Sequence, residues 1–148
     1  MKTLADNRKA RFEYDLLETL EAGLALTGQE VKSARGGHIK ISDAFVTFHD
    51  GEALLTNAHI ARYRYAGELP DYNPTHSRRL LLHRKEIAYL QGKALEKGLT
   101  VVPLRVYTNG RLLKITLAVA RGRRTYDKRE VLKKRDIDRE AKRATKEL

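Results

Sequence analysis

LTVVPLRVYTNGRLLKITLAV, residues Leu99 to Val119, holds two β-rich runs around Asn109-Gly110. That dipeptide signals a two-residue type I′ turn, because both residues tolerate positive φ. A turn closing there pairs Val106 with Leu113, Leu104 with Ile115 and Val102 with Leu117. All six are apolar, so this face reads as core in a single register. The other face sets Tyr107 against Leu112 and Arg105 against Lys114, and like charges directly opposed are unfavourable. A phosphate over Arg105 and Lys114 would relieve that repulsion; splaying both side chains into water would do the same.

Outward from this hairpin, the remaining chain supplies further strands and short helices. From Phe12 to Leu26 the apolar residues follow mainly period two, with a slip near Leu17 and an interruption at Gly23. This predicts one or two strands with a bulge or bend. Thr27-Gly28-Gln29-Glu30 is a capping box opening a helix over Gln29 to Arg35, stopped by Gly36-Gly37. Ala44–Phe48 and Ala53–Ile60 form a hairpin about Asp50-Gly51. GELPDYNPTHS, Gly67 to Ser77, reads as an irregular mobile loop, and Arg79–Leu82 as a short strand. His83 to Lys97 is helical, with Ile87, Leu90 and Ala94 on one stripe and Gly98 as its stop. Asn7 to Arg11 is a basic lead-in. The expected fold is α+β: six or seven antiparallel strands built into a small barrel, with two or three helices.

The 148 residues fit one domain, and their net charge of +11 with a pI near 10.0 is the footprint of a nucleic-acid binder. The charge is uneven: Arg121 to Leu148 hold 12 Lys and Arg against 6 Asp and Glu, so +6 of the +11 lies in the last fifth of the chain. Its first part, ARGRRTYDKREVLKK, sets Arg121, Arg123, Arg124, Lys128, Arg129, Lys133 and Lys134 around one aromatic residue, Tyr126. So little apolar surface cannot offset the entropy of ordering, so the stretch is expected to be loose when free and ordered by a polyanion. A solvated tail without a partner is the alternative.

Other functions leave no mark in the chain. There is no Cys, hence no disulfide and no thiolate nucleophile or metal ligand. No apolar run approaches the roughly 20 residues that span a bilayer, and MKTLADNRKAR has no secretory apolar region, so a cytoplasmic protein without a membrane partner is expected. His38, His49, His59, His76 and His83 lack zinc-site spacing, and no phosphate-cradling glycine motif occurs, so neither metal nor cofactor is expected. Glu13, Asp15, Glu18 and Glu21 read as solvent-facing strand residues rather than acid–base pairs. The expected protein binds and is not an enzyme.

Seven runs in fixed order carry a resemblance: NRKAR from Asn7, EAGLALTGQEVKSARGG from Glu21, ISDAFV from Ile41, DGEALL from Asp50, RRLLLHRKEI from Arg78, KGLTVVPLRVY from Lys97 and ARGRRTYDKR from Ala120. Together they resemble the small protein B (SmpB) family, the tmRNA-binding proteins of bacterial trans-translation. The resemblance implies an antiparallel barrel like an oligonucleotide-binding fold, with three helices. It divides the chain into an RNA-binding domain, 1–120, and a basic tail, 121–148, disordered when free. It implies binding of the tRNA-like domain of tmRNA and delivery with elongation factor Tu to stalled ribosomes, the barrel standing where an anticodon arm would. The tail would enter the empty mRNA channel near the decoding centre. The implied RNA-binding residues are Asn7, Glu21, Leu81, His83 and Lys114, joined by Arg105 from the hairpin argument. Each has a plainer reading, such as strand surface for Glu21, core for Leu81 and a helix cap for His83. In the tail, Gly122, Asp127, Lys128 and Arg129 match the family pattern G-K-K-x-x-D-K-R, with Arg123 and Arg124 at the lysines; Lys133 and Lys134 extend it. Tyr126 stands where relatives often have His, so a cationic ring is lost there while stacking is kept. The competing expectation is a structural ribosomal or general RNA-binding protein.

Overall fold

The computed structural model describes residues 1–123. In chain order the elements are β1 (Lys2–Asp6), α1 (Arg8–Glu13), β2 (Tyr14–Leu24), α2 (Gly28–Arg35), β3 (Ile39–Lys40), β4 (Phe45–His49), β5 (Glu52–Thr56), β6 (His59–Ile60), β7 (Arg78–Leu81), α3 (Arg84–Leu95), β8 (Leu99–Asn109) and β9 (Leu112–Gly122). Seven strands form one antiparallel sheet in the order β1-β8-β9-β2-β7-β5-β4, and β3 pairs with β6 alone. The α+β class with three helices is as expected, but the barrel is not. The sheet is open, with β1 and β4 as its edges. It curls enough for β4 to lie near β8. On the side away from β8, β1 lies near β3, whose pairing is taken up by β6, so no strand pairing closes the ring among the described residues.

The β8–β9 hairpin forms in another register. Its two-residue turn is Gly110-Arg111, flanked by the pair Asn109 and Leu112. Gly110 has φ +62 and Arg111 is not in the positive-φ region, the φ signs of a type II′ turn, which places glycine first. Val106 therefore meets Ile115, Tyr107 meets Lys114 and Arg105 meets Thr116. The expected collision of Arg105 with Lys114 does not occur. The register then slips between Pro103 and Arg105. Proline has no N–H to give the ladder, so a bulge is tolerated here. Asn7 binds into it: its backbone N–H donates to Leu104 O at 2.8 Å and its Nδ2 to Pro103 O at 2.7 Å.

β2 carries a matching slip between Leu16 and Glu18, where the sequence periodicity breaks. A one-residue slip moves later side chains to the opposite face. On the inner face, Leu20, Ala22, Leu24, Val101, Val106, Leu113, Ile115, Leu117 and Val119 form the main core with Leu90 of α3 and Val46 and Leu55 of the β4–β5 hairpin. On the outer face beyond the bulges, Val102, Leu104, Ala118 and Ala120 join Tyr14 and Leu16 under Ala10 of α1. The basic lead-in, to which the sequence assigned no element, is thus a helix. Asn7 caps it, its Oδ1 accepting from the Ala10 N–H at 3.0 Å.

Other local signals hold in part: α3 ends at Leu95 rather than at Lys97, and the run Ala53–Ile60 is split into β5 and β6 at Asn57, whose φ is 64. Asp50 and Gly51 have φ 48 and 79, as a type I′ hairpin requires. The Thr27–Glu30 capping box is present, and Leu90 is the buried residue of the α3 stripe. Glu30 also has a role the cap motif does not reveal. It is 1% exposed, and its Oε2 receives Arg78 Nη2 at 2.6 Å, Arg78 Nε at 2.9 Å and His76 Nε2 at 2.9 Å. Burial alone would raise its pKa, but the Thr27 N–H, the Arg78 guanidinium and His76 outweigh it and hold the carboxyl at about 2. The Tyr72 hydroxyl beside it donates to Ile60 O at 2.7 Å. The loop from Gly67 to Ser77 is irregular, but Tyr72 and His76 anchor it to α2.

Candidate RNA interface

Strand alternation and register decide which side chains share the uncovered part of the outer face. Glu21 of β2 pairs with Thr116 of β9, which pairs with Arg105 of β8. The next outer row runs Tyr107, Lys114, Gly23 and Leu81 across β8, β9, β2 and β7. Beyond Leu81 the chain turns into α3, with His83 as its N-cap. This brings Glu21, Leu81, His83 and Lys114 into one groove of about 950 Å³, closed on its far side by the Asp50–Glu52 turn.

Each wall residue has a definite chemical state. Thr116 Oγ1 donates to Glu21 Oε1 at 3.2 Å, which leaves Glu21 Oε2 to accept from a ribose hydroxyl or base amine. Leu81 is 49% exposed, the opposite of the core reading, and covers Gly23. A Cβ at Gly23 would stand 3.1 Å from Leu81 Cβ and 3.2 Å from its Cδ1, so any side chain there would displace Leu81. An exposed aliphatic platform in a polar groove suits the face of an unstacked base. The Glu86 carboxylate accepts from the His83 backbone N–H at 2.9 Å, and the His83 ring is exposed beside it. Arg79 leans on Glu52 at 3.8 Å, whereas Lys114 and Arg84 have no ion-pair partner among the described residues. The groove thus offers two cations without an ion-pair partner for phosphate, the free oxygen of Glu21 as an acceptor, one exposed imidazole and one apolar surface, with the carboxylates of Asp50, Glu52 and Glu86 along its rim.

Arg105 lies outside the groove, its guanidinium 4.7 Å from the Tyr107 ring centroid. That places it one strand beyond Lys114 on the same face. Asn7 departs from its expected role. It is 1% exposed, and its side chain already bonds Ala10 N, Ile41 O and Pro103 O, so it has no way to touch RNA directly. What it supports is α1 and the β8 bulge.

The root of the tail is also structured, so the division at residue 120 falls inside β9. Arg121 pairs with Asp15 and Gly122 with Tyr14. Arg123 donates from its backbone to Glu13 O at 2.9 Å and from Nε to Asp15 Oδ1 at 2.9 Å. Arg124, Tyr126, Asp127, Lys128, Arg129, Lys133 and Lys134 lie outside the described residues. Arg79, Arg84, Gly23 and Thr116 were missed in the sequence. The isolated glycine in a strand was the available signal for Gly23; nothing local marked the others, whose placement depends on neighbouring strands.

The chain matches the family model described as SmpB protein over residues 4–147. It is similar to SsrA-binding proteins from a Synechococcus species, 52% identical over 99% of this chain and 96% of the relative, from Acaryochloris marina, 47% identical over 98% and 94%, and from Leuconostoc mesenteroides, 50% identical over 97% and 92%. In three dimensions it is similar to a solved chain from work on tmRNA–SmpB at the centre of the bacterial ribosome. That similarity has a TM-score of 0.70 at 44% identity and covers 89% of this chain and 95% of the other.

Proposed function

Because the chain belongs to the SmpB protein family, we propose that it is a tmRNA-binding adaptor of trans-translation, carrying tmRNA to stalled ribosomes. The observation that carries this reading is the meeting of Glu21, Leu81, His83 and Lys114 in one groove. We assign the groove to the tRNA-like domain of tmRNA. Lys114 and Arg84 take phosphates, Leu81 supports an unpaired base, Glu21 accepts from a sugar or base donor, and His83 stacks on or donates to the RNA. Arg105 extends the phosphate track by one strand. Asn7 acts indirectly by holding the scaffold.

The basic residues Arg124, Lys128, Arg129, Lys133 and Lys134, with Tyr126 and Asp127, are proposed to engage the small-subunit decoding region and the empty mRNA channel. Gly122 and Arg123 launch the tail from the sheet, the Arg123–Asp15 pair setting its direction. Elongation factor Tu is proposed as the companion in delivery, and the cytoplasm as the place. The protein works by binding and breaks no bond. Among the described residues no helix is long and apolar enough to cross a membrane.

The test is a chain shortened to end before Tyr126. Its affinity for the tRNA-like domain stays close to that of the full chain, while tagging of stalled products is abolished. Equal loss of both would refute the division between groove and tail. Affinity should also fall steeply with salt, because phosphate contacts release counterions.

A further inference from the structure

A second cationic surface lies on the segment after β6 and shares no residue with the groove. Its sequence, Arg62-Tyr63-Arg64-Tyr65, alternates cations with aromatic rings. The segment is held in shape. The Ala66 N–H donates to Tyr63 O at 3.0 Å, Arg62 Nη1 donates to Tyr63 O and Gly67 O, and the Tyr63 N–H donates to Gln29 Oε1 of α2 at 2.8 Å. The rings of Tyr63 and Tyr65 meet edge to face at 5.5 Å. Arg64 lies 4.9 Å from the Tyr65 centroid, and Lys32 of α2 lies 5.7 Å from that of Tyr63. Tyr65 is nevertheless 72% exposed. Lys32, Arg62 and Arg64 have no carboxylate partner among the described residues, although Glu68 and Asp71 follow closely in the chain.

We propose that Tyr65, braced by Tyr63 and flanked by Arg62, Arg64 and Lys32, is a stacking platform for an unpaired base of single-stranded RNA, the three cations holding the phosphates on either side. Arg64 lies over the ring, and the rest of the ring is open to a base. A ring held by a hydrogen-bonded turn loses little freedom on binding, and base–aromatic stacking is sequence-tolerant because every base has a π face. The uncompensated cations select a polyanion over a neutral peptide. The surface thus gives the protein a second RNA contact, separate from both groove and tail.

The test uses the full chain and a single-stranded RNA of about 12 nucleotides carrying 5-iodouridine, long enough to cover one such site, at about 0.2 M salt to weaken contacts made to phosphate alone. Irradiation is expected to link the RNA to Tyr65 or Tyr63, located by peptide mass spectrometry. Tyr65→Ser is expected to weaken binding roughly tenfold and Tyr65→Phe to preserve it, since stacking needs the ring and not the hydroxyl. An unchanged affinity for Tyr65→Ser, an equal loss for Tyr65→Phe, or links confined to other residues would overturn the proposal. In Lys114→Ala the links to Tyr65 or Tyr63 persist whatever becomes of the oligonucleotide's contacts with the groove, so failure here is distinguishable from failure of the groove assignment. Tyr65→p-benzoylphenylalanine, placed in the complex with tmRNA on stalled ribosomes, separates the two RNA sources. Capture of tmRNA or of ribosomal RNA each supports the platform and names its partner; capture of protein alone refutes it.

Discussion

The outer face of β2, β8 and β9 is two surfaces laid end to end. Towards Gly122 it presents Tyr14, Leu16, Val102, Leu104, Ala118 and Ala120, closed by Ala10 of α1. Towards the Gly110 turn the same strands present Glu21, Gly23, Arg105, Lys114 and Thr116, which no helix covers among the described residues. The pairing is continuous across both halves, so the difference is in the side chains and not in the backbone scaffold. Alanines at 10, 118 and 120 let a short helix sit close to the sheet, and apolar surface gains from being closed off. Charged and polar residues keep the other half wet, and this is the half proposed to take up RNA. The bulges at Leu17 and Leu104 lie between the two regimes. They let long strands with apolar residues on both sides serve two cores at one end and one core plus a binding surface at the other.

The strongest challenge to this contrast is to cut what holds β7, and with it Leu81, in place. Arg78→Met leaves the buried Glu30 carboxylate without its main partner, and a cost of about 4 kcal/mol is expected. Denaturant unfolding checks this. A loss below about 1 kcal/mol would mean that the Glu30 cluster does not hold the groove rim. The same cluster predicts acid sensitivity. The folded-state pKa of Glu30 is about 2 against an ordinary 4.5, so its contribution is complete above pH 4.5 and disappears as pH falls towards 2. At about 1.4 kcal/mol per unit this amounts to about 3 kcal/mol. Unfolding curves of wild type and Glu30→Gln should converge across that window; curves that stay parallel would contradict it.

Within the covered half, Ala120→Glu buries an unpaired carboxylate beneath α1 and is expected to cost about 3 kcal/mol or more. Within the open half, Lys114→Ala is expected to leave the melting temperature unchanged. It should weaken binding of the tRNA-like domain roughly tenfold and lower the salt slope by about 1. Leu81→Ala should weaken binding to a similar degree with no change in salt slope, which titrations at several salt concentrations would separate. If Ala120→Glu were neutral to stability while Lys114→Ala unfolded the protein, the two halves would have been assigned the wrong way round. The smallest effect belongs to Asp15→Asn. Its carboxylate is largely exposed, so the loss of the Arg123 pair should cost less than about 1 kcal/mol in thermal melts.

Much of this was legible locally. The Thr27 capping box, the Asp50-Gly51 turn and the slip near Leu17 each follow from the steric and hydrogen-bonding habits of a few adjacent residues, whereas α3 stops at Leu95, short of Gly98. The resemblance named the residues of the groove, although alternation alone could not say that Leu81 faces outward while Leu80 is buried. Asn109-Gly110 misled because two turn types accept the glycine, and placing Gly110 first displaces the partners by two positions as far as Arg105 and by one beyond the bulge. That shift kept the inner face apolar, but it replaced an expected clash of Arg105 and Lys114 with separate pairings to Thr116 and Tyr107.

From the amino-acid order alone came most of the elements, though not β1, α1 or β3, and with them the excess of positive charge and its concentration after Arg121, because these depend on neighbours in the chain. Tertiary structure alone decided that the sheet stays open, that Asn7 is buried as the cap of α1 against the β8 bulge rather than offered to RNA, and that Glu30, read as a helix cap, also binds Arg78. The physical reason is the same in each case. A polar side chain has several possible hydrogen-bond partners, and which of them it meets depends on strands brought together from far along the chain, with the rest of each site shut off from water.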